Sequence, residues 1–336
     1  MAPPASALGR LLLLVAGASA SLVPQTTAHE DNPDTPLPLV IWHGLGDTFA
    51  SDGIQAISSL AESVNPGTFV HTVTLSARDP SGDRTATFYG NLTEQVDAVC
   101  GQLASHPILS TAPAVDALGF SQGGQFLRAY VERCNRPPVR SLVTFGSQHN
   151  GISQFRACGR SEWLCKGAMA LLRFNTWSSF VQSRLVPAQY FRDPADPASY
   201  AGYLESSNFL ADVNNERRRK DPAYARNLAS LDNFVMYLFA EDTTVVPPRT
   251  AWFDEVNGTV VTPLRERDLY KEDWLGLKQL DKRGGLRFRT VEGADHMQID
   301  EETLNKTFAD FFGVYGRKFK PEGWVEAPKV DEGLEL

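Results

Sequence analysis

Residues 114–134 read AVDALGFSQGGQFLRAYVERC. Ala114–Phe120 is a mostly apolar run short enough to be a buried strand, and Gln122–Cys134, with the run Gln125–Val131 at its centre, reads as a helix. Between them Gly119-Phe120-Ser121-Gln122-Gly123 matches G-x-S-x-G. The pattern has a mechanical meaning when it joins a strand to a helix through a sharp turn. The serine then takes a strained backbone conformation that lifts its hydroxyl off the sheet. Glycines flank it because a Cβ at either place would crowd the strand against the helix. Ser121 is therefore the candidate nucleophile.

The chain on either side supports a sheet of the kind that elbow needs. Pro38–Trp42, Phe69–Leu75, Arg140–Phe145, Phe234–Phe239 and Leu286–Val291 read as strands. Asn91–Leu103 and Glu302–Phe312 read as helices. Strands alternating with helices predict a mostly parallel α/β sheet flanked by helices. Residues 151–230 break the rhythm, with Phe174, Trp177, Val181 and Leu185 at helical spacing, and read as a helical insertion between two strands. The core domain is expected over residues 37–313, after a polar, proline-bearing lead-in at 21–36 and before a polar appended tail at 314–336. The 336 residues are 42% hydrophobic and 21% charged, ordinary globular proportions that exclude wholesale disorder, collagen and coiled coil. A net charge of −8 argues against a nucleic-acid binder that works by neutralising phosphates.

A serine alcohol is a weak nucleophile and needs a base. Of six histidines, His296 follows the last strand and precedes the last helix, the place this architecture gives its base. His43 and His149 follow strands and read as structural or oxyanion-side supports. A carboxylate must orient the imidazole, and the expected chain order is Ser, Asp, His. Asp242, just after the strand Phe234–Phe239, fits, with Glu241, Asp254 and Asp295 as rivals. The oxyanion of a tetrahedral intermediate needs N–H donors. Gln122 offers one and Leu45, in the loop after Pro38–Trp42, the other. Phe49 stands where a dinucleotide fingerprint would need its third glycine, and the proposed chemistry calls for no metal and no cofactor.

The N-terminus reads as a targeting signal over residues 1–20: Arg10, the apolar core Leu11–Ala16, then Ala18-Ser19-Ala20 for cleavage. No later run approaches the length that spans a bilayer, so a soluble lumenal or secreted protein is expected. Cys100, Cys134, Cys158 and Cys165 allow two disulfides in three pairings in such a compartment. Sequons at Asn91, Asn257 and Asn305 are candidate glycan sites.

Beyond the elbow, longer strings stand out: HGLGD at 43–47, GFSQGGQFLR at 119–128, GSQHNG at 146–151, FLAD at 209–212 and LGLK at 275–278. Together they resemble the lysosomal palmitoyl-protein thioesterases over roughly residues 36–313. The resemblance implies an α/β-hydrolase fold and removal of fatty acyl groups from S-palmitoylated proteins by Ser121, Asp242 and His296. It also implies disulfides Cys100–Cys134 and Cys158–Cys165, and an acyl groove built by the insertion around Trp177, Phe180, Val181 and Leu185. The chain departs from the family where Thr48-Phe49-Ala50-Ser51 replaces an adjacent cysteine pair, and in its tail. A monomer is expected. The competing readings are a secreted lipase or esterase, an acyl-CoA thioesterase, and an inactive acyl-binding module.

Overall fold

The computed structural model describes residues 35–76, 79–155, 163, 166–167 and 175–320. Six strands form one sheet: β1 (Leu39–Trp42), β2 (Val70–Thr72), β3 (Val115–Phe120), β4 (Val139–Phe145), β5 (Asn233–Phe239) and β8 (Leu286–Val291). Their order is β2-β1-β3-β4-β5-β8 and every pairing is parallel. Between β5 and β8 lies a small antiparallel hairpin, β6 (Glu255–Asn257) and β7 (Val260–Thr262).

The central strands β3, β4 and β5 are buried along their whole length, and the two charged residues they carry, Arg140 of β4 and Asp116 of β3, pair with each other. Alternate side chains feed two cores. Leu142, Phe234 and Met236 pack on one face with helices α3 (Leu92–Ser105) and α4 (Gln122–Arg133). Leu118, Val143, Val235 and Phe239 pack on the other with α1 (Asp52–Val64) and the last helix, Glu301–Phe311. Cys100 of α3 is disulfide-bonded to Cys134 at the end of α4. Cys158 and Cys165, like the leader at 1–20, fall outside the described residues.

Three expectations need correction. The strand expected over Phe69–Leu75 shrinks to Val70–Thr72, because the Leu75 N–H donates to the Asp83 side chain (2.8 Å) instead of to a neighbouring strand. The helical stripe in the insertion is broken up. Trp177 lies in a turn, Val181 in the four-residue helix Ser179–Gln182, and Leu185 at the start of a 3-10 turn containing Pro187; Phe174 is outside the described residues. Residues 314–320 are not a free appendage. Val314 bridges to Pro36, its carbonyl accepts from Arg140, and Arg287 donates to the Lys320 carbonyl (2.6 Å).

Candidate active site

β3 runs straight into α4 through Ser121, whose φ of 51° and ψ of −126° lie where non-glycine residues are seldom found. Close packing fixes the glycines around it. A Cβ on Gly119 would sit 2.2 Å from Gly124 Cα, and one on Gly123 would sit 2.2 Å from the Trp42 carbonyl oxygen. Only bare backbone lets α4 start this close to β1 and β3. Because Gln122 is the first helical residue, its N–H has no carbonyl of its own helix to reach and is left for another acceptor.

Two further loops at the carboxyl ends of the strands meet the serine. His296, in the loop after β8, accepts a hydrogen bond at Nε2 from Ser121 Oγ (3.0 Å) and donates from Nδ1 to Asp242 Oδ2 (2.7 Å). Asp242, after β5, is itself held by N–H donors from Thr244 and Val245, each 2.8 Å from Oδ1. The three side chains are contributed by residues up to 175 apart in sequence and form one hydrogen-bonded line. Such a line can move a proton from the alcohol to the imidazole while the carboxylate steadies the cation that forms.

The rivals for the acid role sit elsewhere. Asp254 pairs with Arg249 and accepts from the Leu264 N–H (2.9 Å). Glu241 is tied by its backbone N–H to the Ala294 carbonyl. Asp295 Oδ1 accepts from the His296 N–H (2.7 Å) and from the Thr243 N–H (2.8 Å). Those bonds hold its exposed carboxyl below the usual carboxylate range. It thus laces the His296 loop to the Asp242 loop from outside. Asp295→Ala is expected to lower turnover by about tenfold or less, since geometry loosens but the imidazole keeps its partner; a loss near 10⁴-fold would move the acid role to Asp295. Steady-state kinetics on the purified variant measures this.

His43 and His149 are both buried. His43 Nε2 donates to Asp83 Oδ2 (2.9 Å), and Asp83 also accepts from the N–H groups of Phe49 (3.0 Å) and Leu75 (2.8 Å). Burial alone would raise the Asp83 pKa, but the bonds from His43, Leu75 and Phe49 bring it below the usual value. The group therefore anchors the loop that carries Leu45. His149 faces Thr144 Oγ1 (3.0 Å) and stacks on Phe253; burial and the nearby Arg128 charge hold it neutral, well below its ordinary pKa. Sequence reading did not single out Asp83. The polar run around it looks like any solvated turn, and its partners lie up to 40 residues away.

A cavity of about 840 Å³ opens beside Ser121 and His296. Its walls include Leu45, Phe88, Phe120, Ile152, Tyr190 and Val245. The sequence-predicted groove residues are placed differently. None of Trp177, Phe180, Val181 and Leu185 is among the described residues lining it. Val181 and Leu185 are buried behind Phe88, Trp177 packs on Phe191 and Tyr203, and Phe180 is exposed beneath Arg184. Of the sequons, Asn257 is exposed at the β6–β7 turn, Asn91 caps α3 through its Oδ1, and Asn305 is half-buried on the last helix.

A parallel sheet with helices on both faces, a serine on a strained strand-to-helix turn, and Ser, Asp, His in that chain order define an α/β-hydrolase. The family model for palmitoyl protein thioesterase matches residues 38–296. Palmitoyl-protein thioesterase 1 of Caenorhabditis elegans is 38% identical over 283 residues, 83% of this chain and 92% of that protein. Palmitoyl-protein thioesterase 3 of Dictyostelium discoideum is 30% identical over 82% of this chain and 90% of its own. The lysosomal thioesterase PPT2 homolog of Drosophila melanogaster is 25% identical over 82% of this chain and 89% of its own. The chain belongs to the palmitoyl protein thioesterase family.

Proposed function

We propose that this chain hydrolyses long-chain acyl thioesters on protein cysteines, with Ser121 as nucleophile, His296 as base and Asp242 as its orienting acid. The observation that carries the reading is the hydrogen-bonded line from Ser121 to Asp242 at the wall of a cavity bordered by Phe120, Ile152 and Val245. His296 takes the Ser121 proton as the hydroxyl attacks the thioester carbonyl. The N–H groups of Leu45 and Gln122 receive the oxyanion. His296 hands the serine proton to the departing sulfur, so the cysteine leaves as a thiol. The now neutral imidazole takes a proton from water as the water attacks the acyl-enzyme, and collapse of that intermediate frees the fatty acid while His296 returns the proton to Ser121. A thiolate leaves readily, so little acid help is needed as the sulfur departs.

Affinity on this reading comes from the chain and not from the peptide. At about 0.8 kcal/mol per buried methylene, fourteen methylenes contribute roughly 11 kcal/mol before the entropic cost of ordering them. A cavity near 840 Å³ lies within the range of sites that engulf a ligand of that size. The test is hydrolysis of acyl-cysteine peptides with four to eighteen carbons beside matched oxygen esters. Rates should climb with chain length and favour the thioester. A flat or short-chain profile overturns the acyl-site reading, and faster oxygen-ester cleavage makes the chain a lipase or esterase.

The same reading puts the protein in the secretory pathway, delivered to a lysosome or vacuole or released. Its support is the leader-like sequence at 1–20, the Cys100–Cys134 bridge and the lysosomal name of the Drosophila relative.

A further inference from the structure

We propose that Thr87 is a positioning residue that sets the two oxyanion donors at a fixed distance from each other. The inference rests on the functional reading above and adds a residue to it. Thr87 closes the short helix Pro80–Ala86 and is buried. Its side-chain oxygen accepts the Gly46 N–H (2.9 Å) while its own O–H donates to the Arg84 carbonyl (2.6 Å). Its backbone carbonyl accepts from Gln122 Nε2 (3.3 Å). One residue therefore holds the loop that presents Leu45 and the residue whose N–H is the other donor.

The loop is pinned on both sides of Leu45. Upstream, His43 is bound to Asp83; downstream, Gly46 is bound to Thr87. A peptide group between two anchored points has little freedom to reorient its N–H. Asp83 and Thr87 are four residues apart, one helical turn, so both anchors issue from the same side of the same short segment. The Gln122 side chain extends the linkage, since its Oε1 accepts from Tyr190 OH (3.2 Å) and Tyr190 lines the cavity. An oxyanion donor acts by being in place before charge develops, so a residue that fixes donors affects the transition state more than substrate binding.

Thr87→Val keeps the β-branched shape and the carbonyl but removes the hydroxyl that Gly46 needs. On a palmitoyl-cysteine peptide, kcat should fall about tenfold with KM within twofold, because the donor is displaced and not deleted. Affinity for a long-chain trifluoromethyl ketone, whose adduct carries an oxyanion, should fall by a similar factor, while palmitate affinity stays put. Thr87→Ser restores the hydroxyl and should bring kcat back to within twofold. Thr87→Ala, assayed at a temperature where circular dichroism shows it folded, should repeat the valine result. The proposal is overturned if Thr87→Val keeps full kcat, if the loss is all in KM, or if serine does not rescue. A wild-type protein inactive on the peptide would sink the functional reading instead, so the two failures are told apart.

Discussion

Ser121→Ala is expected to leave a folded protein whose kcat on a palmitoylated peptide drops by on the order of 10⁵-fold or more. In the proposed mechanism the loss is large because the side chain supplies the atom that bonds to the acyl carbon; what remains is water attack helped by binding and oxyanion contacts. The fold should not notice. Ser121 Oγ makes no capping bond to α4, and its side-chain bond goes to His296. Alanine meets the same backbone strain at φ 51° as serine does. The measurement pairs fatty-acid release with a thermal unfolding curve and with mass spectrometry of the acyl-enzyme, which the variant cannot form. Activity above a few per cent of wild type, in protein free of contaminating hydrolase, would remove Ser121 from the mechanism.

The second large effect concerns stability. Arg128, in the same motif as Ser121, is wholly buried. It donates to Glu132 (2.7 Å), to the carbonyls of Val213 (3.1 Å) and His149 (3.3 Å), and to the Asn214 side chain (2.8 Å), and it lies over the Phe253 ring. Residues 149 and 213–214 stand just before the insertion begins and within its later part, so α4 grips that segment at two places. Arg128→Met keeps the length but leaves four acceptors bare and Glu132 without its cation. Burial pushes the Glu132 carboxyl up and Arg128 pulls it back down, so without that cation the carboxyl left behind takes a proton. Breaking one side of a buried pair costs about 3–5 kcal/mol. At about 2–4 °C per kcal/mol, the melting temperature should fall by roughly 10 °C. Urea unfolding measures it. A change under about 1 kcal/mol would mean the network contributes little, and Glu132→Leu added to Arg128→Met should recover part of the loss.

The contrast between those two residues shows what sequence could and could not reveal. Ser121 was legible because a local pattern, strand, glycine, serine, glycine, helix, encodes its geometry within ten residues. His296 and Asp242 followed from chain order at strand ends, since a parallel sheet delivers those ends to one edge. Arg128 stands in the same motif, yet apart from Glu132, four residues on, its partners lie 21 to 86 residues off, and no periodicity announces those pairs. The same holds for Asp83 and Thr87. The groove residues show a different limit. Spacing at Val181 and Leu185 signalled burial, and both are buried, but periodicity does not say which cavity a buried face adjoins. They back Phe88, and Phe88 is what lines the cavity. For the tail, a polar composition concealed two arginines that bind its carbonyl oxygens.

The Cys100–Cys134 bridge encircles, in sequence, the entire segment from α3 to α4, with Ser121 between its two ends. Closing a loop whose ends are 34 positions apart removes about 3–4 kcal/mol of disorder from the unfolded chain. Recombinant material made in a reducing bacterial cytoplasm and material folded in an oxidising lumen are therefore different starting points. Free-thiol titration belongs at the head of any comparison between such preparations.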